Sequence, residues 1–245
     1  MATEFVFDSH GTGDPILFVH GLGGTNNVFM PQADALGRHF RVLRPLLPAA
    51  STVDALVGHL LAFVDHEALS SFHLVGHSMG TIVCQHLAVR CPDCVRSLAL
   101  IGPLAAPPEP ARPALRDRAV KARAEGMTAI ADAIVQGGIS ATTRHAHPEV
   151  AAFVRELVQR QNPETYASHC LALADAQAAD VASLSCPVLL LTGNDDSTSP
   201  PAAARELARR FPQAMLEIIP SCGHWATLES PAAVNAALAN FYFRP

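Results

Sequence analysis

Apolar residues follow two rhythms along this chain. Short apolar-rich runs stand at 15–19, 40–43, 72–75, 97–101, 187–192 and 215–219, and most of them run into a Gly or Pro. Runs of that kind read as strands, and the most continuous of them as strands buried on both faces. Between them the apolar positions take helical spacing, at 28–36, from Thr52 to about Leu69, directly after Ser78, from Pro200-Pro201 to about Phe211, and from Ser230-Pro231 onward. Phe5-Val6-Phe7 begins an edge strand, and 9–14 reads as a turn. Strands alternating with helices of this length predict a mostly parallel, doubly wound α/β sheet. Its strand C-termini, and the loops that follow them, then share one edge.

The alternation stops at Gly102. Pro103, Pro107, Pro108, Pro110 and Pro113 punctuate a linker. From Leu115 to about Ala179 the spacing is helical and no strand is evident. One helix covers 129–135 and ends at Gly137-Gly138, a second covers 149–161, and a third begins at Pro163 and continues through Tyr166, Leu171 and Leu173. Residues 103–179 are therefore predicted to form a helical cap inserted between 1–102 and 180–245, the two parts of the sheet core.

Composition narrows the partners. With 245 residues, 49% hydrophobic and only 16% charged, the chain suits one sizeable domain carrying an insertion. A net charge of −5 without clustered Lys and Arg argues against nucleic acid and against an anionic membrane surface. No apolar run approaches the ~20 residues of a membrane span, and the first eight residues lack the basic start of a secretory signal. A soluble, cytoplasmic protein with a small-molecule partner is the expectation; the sequence does not speak to oligomeric state. The six cysteines are expected as free thiols. Cys91-Pro92-Asp93-Cys94 has redox spacing but falls at a helix end, and His145-Ala146-His147 has no further ligand at metal-site spacing and reads as a loop. No metal or organic cofactor is implied.

The candidate chemistry centres on Gly76-His77-Ser78-Met79-Gly80, where an apolar strand passes through a tight turn straight into a helix. That context is the one a nucleophile elbow requires, with Ser78 strained and its hydroxyl exposed at the tip. The helix N-terminus behind it favours developing negative charge. His20-Gly21-Leu22-Gly23-Gly24 follows an earlier strand, and its glycines let backbone N–H groups approach a small anion. The Leu22 and Met79 amides are thus the expected oxyanion hole, with His20 bracing the loop. Two further groups follow strand ends: an acid at Asp195 or Asp196, and His224 after Gly223. A serine hydroxyl needs a base to take its proton, imidazole suits that duty, and a carboxylate fixes the ring. Of twelve histidines, His224 is set apart by its glycine and its place after the last strand. His77 is expected to be buried or to line the pocket. Trp225, the only tryptophan, is expected to pack near His224, and Cys222 lies close enough for its oxidation to impair the site.

The segments His20-Gly21, Gly76-His77-Ser78-Met79-Gly80, Gly193-x-x-Asp196-x-x-x-Pro200 and Gly223-His224 occur with Ser, Asp and His in that order. Together they resemble the α/β-hydrolase fold family across nearly the whole chain. The resemblance implies Asp196 as the acid, three residues after its glycine and four before its proline, and leaves Asp195 as a loop or capping residue. Dehalogenases and epoxide hydrolases of similar fold place Asp at the elbow, which Ser78 disfavours. A finer resemblance runs through 126–133 and 162–175, which look like the matching stretches of 3-oxoadipate enol-lactonases. Those enzymes open a small unsaturated lactone bearing a carboxylate, which implies a cation facing the pocket from among Arg112, Arg116, Arg118, Lys121, Arg123 and Arg144. Two departures stand out: a shortened Leu46-Leu47-Pro48-Ala49-Ala50-Ser51 loop without the usual Asp, and Thr81 in place of a second glycine. The expected activity is hydrolysis of a small carboxylic ester or lactone through an acyl-enzyme by Ser78, His224 and Asp196. The alternatives are a carbon–carbon bond hydrolase of the meta-cleavage type and a ligand receptor built on the same fold.

Overall fold

All seven strands join one sheet in the computed structural model, which describes residues 4–243. In chain order they are β1 (Phe7–His10), β2 (Asp14–Val19), β3 (Phe40–Pro45), β4 (Phe72–His77), β5 (Val95–Ile101), β6 (Val188–Gly193) and β7 (Ala214–Ile219). They lie side by side as β1-β3-β2-β4-β5-β6-β7. Only β1 runs antiparallel, with Phe7 opposite Pro45 on β3; the other pairs are parallel. Positions 1–3, part of the N-terminal stretch read above as lacking a signal, lie outside the described residues, as do 244–245.

The period of two along each strand splits the core into two layers. Leu17, Val19, Leu74, Leu98 and Leu190 face one layer, where α2 (Val53–His66) and α3 (Met79–Arg90) pack. Ile16, Phe18, Val75, Ala99 and Leu191 face the other, with α1 (Met30–Leu36) and residues Val234, Ala237 and Leu238 near the C-terminus. Helix α3 is buried on almost every face, as a helix held between the sheet and α2 must be. Helix α2 starts where the Thr52 hydroxyl accepts the Ala55 amide at 3.1 Å.

Five helices separate β5 from β6: α4 (Ala111–Glu125), α5 (Thr128–Gly138), α6 (Ala141–Ala146), α7 (Pro148–Gln159) and α8 (Pro163–Asp175). Helix α4 packs along α8, and α5 along α7. The chain closes with α9 (Pro201–Ala208), α10 (Ala226–Glu229) and α11 (Pro231–Tyr242).

The structure departs from the sequence reading in places. Helix α4 begins at Ala111, ahead of the expected Leu115, because Pro113 fits a first turn whose amides have no intrahelical acceptor. Helices α6 and α10 were not anticipated. His145 and Ala146 lie in α6 rather than in a loop, since Ser140 caps that turn by accepting the Thr143 amide at 3.0 Å. Strand β1 starts at Phe7 and runs to His10, into the expected turn. Cys91 and Cys94 are joined as a disulfide, against the expectation of six free thiols. The turn after α3, closed by the Cys94 amide donating to the Cys91 carbonyl at 3.1 Å, brings the two Cα atoms within 5.4 Å. Cys84, Cys170, Cys186 and Cys222 remain free.

Among the described residues no helix is long and apolar enough to cross a membrane. The sheet order reverses direction between β2 and β4, because β3 lies on one side of β2 and β4 on the other. In open α/β sheets a crevice forms outside the strand C-termini at such a point, and this is where the candidate residues gather.

Candidate active site

Ser78 is the residue after β4 and immediately before α3, and it sits at φ 54° and ψ −121°. A serine in that left-handed region carries strain on the order of 1–3 kcal/mol. Close backbone packing holds it there. A Cβ on Gly80 would lie 2.2 Å from the Val19 carbonyl oxygen, and one on Gly21 only 2.7 Å from the Ser78 Cβ. The β2 loop and the start of α3 are therefore in backbone contact, with Ser78 between them.

Asp196 stands three residues beyond β6 and His224 five beyond β7. The His224 Nδ1–H donates to Asp196 Oδ2 at 2.8 Å, because an ionised carboxylate can only accept. His224 Nε2 then accepts the Ser78 hydroxyl at 2.7 Å. The other Asp196 oxygen accepts the amides of Thr198 at 2.8 Å and Ser199 at 2.7 Å. Burial pushes the Asp196 carboxyl up, but the His224 charge and these hydrogen bonds outweigh it and hold the carboxyl below its ordinary value. Asp195 is exposed, and its amide donates to the Cys222 carbonyl at 2.9 Å. Between the two aspartates, the structure brings Asp196 to the histidine.

The other predicted residues take definite places. His20 donates from Nδ1 to the Gly21 carbonyl at 3.0 Å and accepts the Leu47 amide on Nε2 at 3.1 Å, tying the β2 loop to the shortened 46–51 segment. His77 is buried and donates from Nε2 to the His224 carbonyl at 2.8 Å. Leu22 lines the same cavity as Ser78, and Met79, wholly buried, opens α3. Trp225 packs against His77, with ring centroids 5.5 Å apart, and also forms part of the cavity wall. The Cys222 thiol is buried, and burial together with nearby Glu229 pushes it up to about 12. It therefore lacks the thiolate that ready oxidation needs. Thr81, the departure from glycine, donates to the Ser78 carbonyl at 2.6 Å and accepts the Leu104 amide at 3.0 Å, pinning the start of the linker to the elbow.

Three supporting residues were not found from sequence. The buried Glu229 carboxylate accepts the amides of Ser140 at 2.9 Å, Gly223 at 3.0 Å and Trp225 at 3.0 Å. The His224 amide donates to the Gly138 carbonyl at 2.7 Å. Gln85 Nε2 donates to the Leu104 carbonyl at 2.7 Å. The histidine loop is thus fastened on both sides of His224, and to the end of α5. The available signal for Glu229 was an acid directly after the mostly apolar stretch Trp225-Ala226-Thr227-Leu228.

Ser78 and His224 open into a cavity of about 400 Å³ between the sheet edge and the helical segment. Its wall is mainly apolar, with Leu22, Leu104, Ile134 and Leu173 among the contributors and, among the described residues, Arg118 of α4 as its one permanent charge. Among the described residues no group of three or more His, Cys, Asp or Glu is placed to hold a metal ion.

Two outcomes follow from these contacts. Glu229→Ala strands three buried amides, each costing about 1–3 kcal/mol, so the melting temperature falls sharply; Glu229→Gln, which keeps an acceptor, loses less. Equal melting of both variants and the parent protein would contradict the clamp. Burial holds His20 and His73 at about 4 and His77 at about 3. In the unfolded chain they protonate near 6.5. The native state therefore refuses protons that the unfolded state binds, and stability present above pH 6.5 is lost progressively toward pH 4. Thermal denaturation followed across that window falls steadily with acidification; a flat profile would refute the assignment.

Known proteins of similar sequence and fold include hydrolases. The chain is 31% identical to a thermophilic esterase from Thermogutta terrifontis whose structure has malate bound, with a TM-score of 0.92 over 97% of this chain and 92% of that one. It is 28% identical to the enol-lactonase from Burkholderia xenovorans LB400, with a TM-score of 0.91 over 97% of this chain and 95% of that one. Among curated proteins it is 28% identical to an (E)-2-((N-methylformamido)methylene)succinate hydrolase from Acinetobacter baylyi, covering 93% of this chain and 90% of the relative. Residues 16–237 match the family described as alpha/beta hydrolase. With the sheet order, the strained serine after β4 and this match over most of its length, the chain belongs to the alpha/beta hydrolase family.

Proposed function

We propose that this protein is a serine hydrolase of small carboxylic esters or lactones, with Ser78 as nucleophile, His224 as general base and Asp196 as the acid that orients it. The observation that carries the reading is the continuous hydrogen-bonded chain from the Ser78 hydroxyl through His224 to Asp196. In the proposed reaction Ser78 Oγ attacks the carbonyl carbon while its proton passes to His224 Nε2. Asp196, ionised and hydrogen-bonded, stabilises the imidazolium that forms. The carbonyl oxygen becomes an oxyanion received by the Leu22 and Met79 amides, the latter at the positive end of α3. Collapse breaks the acyl–oxygen bond, and the leaving oxygen takes the proton from His224. Water, deprotonated by the same ring, then attacks the acyl-enzyme and releases the acid with Ser78 restored.

Residues 103–179 act in this reading as the cap that encloses the substrate, since α4 and α5 contribute wall to the cavity. The likeness to the Burkholderia enol-lactonase supports a lactone as the physiological substrate. An enol leaving group suits such a site, because protonation of the departing oxygen by His224 yields a ketone after tautomerisation.

A fluorophosphonate probe should label the protein at Ser78 and fail to label Ser78→Ala. Against a panel of nitrophenyl esters and lactones, Ser78→Ala should lose turnover by a factor on the order of 10⁴–10⁶, and Asp196→Asn by about 10⁴. Asp195→Asn should retain activity near that of the parent. Loss confined to Asp195→Asn would reverse the acid assignment. Faster turnover of a meta-cleavage dienol than of any ester would favour carbon–carbon bond hydrolysis instead, and ligand binding with no labelling or turnover would favour a receptor.

A further inference from the structure

Trp225 is the one tryptophan of the chain and follows His224 directly. The residue is only 3% exposed, and it belongs to the wall of the cavity into which Ser78 and His224 open. Its backbone amide is taken by Glu229, but its indole N–H has no acceptor among the described residues. An indole nitrogen can only donate, and a buried tryptophan ordinarily finds a partner for it. The unmet donor stands on the edge of the ring turned to the end of α5: a Cβ on Gly138 would lie 3.0 Å from Trp225 Nε1 and 3.3 Å from Cδ1.

Gly137 and Gly138 close α5, and both lie in the cavity wall. Helices that stop at a glycine use it for a left-handed turn, yet neither residue adopts positive φ. Glycine is also a poorer helix former than alanine. What the pair supplies is the absence of side chains. At 138 this leaves the Nε1 edge of Trp225 bare, and at 137 a Cβ would meet nothing within 4 Å. The wall beside them, Ala133 and Ile134, offers no side-chain acceptor. The Gly138 carbonyl accepts the His224 amide at 2.7 Å, so the bare edge is tied to the backbone of the catalytic ring. In the reaction above, the carbonyl oxygen turns to the Leu22 and Met79 amides and the alcohol oxygen to His224. The group carried on that alcohol oxygen therefore extends along the side where Trp225 and Gly138 lie.

We propose that Trp225 is a specificity-determining residue: its indole N–H donates to an uncharged oxygen, ether or carbonyl, carried by the alcohol part of the substrate. Gly137 and Gly138 give that part the room to reach it. The preferred substrate is then an ester or lactone whose alcohol side bears a second, neutral acceptor oxygen. A purely alkyl group leaves the buried donor unpaired and is disfavoured for that reason. This rests on the hydrolase reading above and deepens it by naming the substrate class.

The test uses two matched pairs, with acid release followed by pH-stat. 2-Methoxyethyl acetate and butyl acetate exchange an oxygen for a methylene in the alcohol part; ethyl 3-methoxypropionate and ethyl pentanoate make the same exchange in the acyl part. Trp225→Phe keeps a ring and removes the donor. It lowers the first pair's ratio of kcat/KM, ether over alkyl, by about 3- to 10-fold, mainly through KM, and leaves the second pair's ratio unchanged. Gly138→Ala lowers the first ratio in the parent protein and not further in Trp225→Phe; because these are ratios, a general loss of rate cancels. An unchanged first ratio in Trp225→Phe, or an equal fall in the second, would overturn the proposal. A second arm needs no turnover and leaves position 225 intact. In Ser78→Ala the single tryptophan reports directly: 2-methoxyethyl acetate should shift its fluorescence to longer wavelength, saturably, and butyl acetate should not. Equal shifts with both esters, or a shift with neither, contradicts the donor role. Ester hydrolysis retained in Ser78→Ala would sink the hydrolase reading instead, so the two failures are told apart.

Discussion

Everything at this site depends on how closely three stretches of backbone approach one another at the tip of β4. The loop after β2, the elbow itself and the first turn of α3 meet with no room for side chains at Gly21 or Gly80. That crowding over-determines the conformation of Ser78 and holds it in a region of backbone space that a free serine rarely visits. It also sets the loop after β2 beside the N-terminus of α3. The support comes from the sheet: β2 and β4, which carry these loops, pair in parallel and are buried through their C-terminal halves.

The histidine is positioned by a different device. Its loop is not a strand of the sheet, so its backbone polar groups are satisfied one by one, by Gly138, His77 and the Glu229 carboxylate. Glu229 also takes an amide from Ser140. One buried side chain therefore fastens the loop of His224 to the junction of α5 and α6. The helical segment is in this way part of the machinery that orients the ring, as well as wall for the cavity. Thr81 and Gln85 do the same for the linker at Leu104, where a glycine at 81 would offer no side-chain bond.

Much of this was legible in the chain. The apolar runs located β2 to β7, most clearly the central strands, because a strand buried on both faces has no polar register to blur it; β1, at the edge and half exposed, was placed too early. The elbow, His224 and Asp196 stood directly after strand ends, where parallel topology sends functional loops. What escaped was set by tertiary contact. Asp195 and Asp196 are chemically alike, and the residues alone left them undecided; only the resemblance to the α/β-hydrolase fold family favoured the second. Glu229 looked like an ordinary helix residue because its three amide partners are fixed by the fold. Cys91 and Cys94 read as free thiols since their approach depends on how the turn after α3 closes.

The central claim is that the hydroxyl at the elbow forms a covalent bond to the acyl group during turnover. Rapid acid quenching of the protein with a slowly deacylating ester, followed by peptide mass spectrometry, examines that bond directly. The account predicts an acyl mass increment confined to Ser78, appearing within one turnover and decaying as acid is released. Steady turnover with no adduct on Ser78, or an adduct on another residue that forms and decays at the catalytic rate, would contradict it.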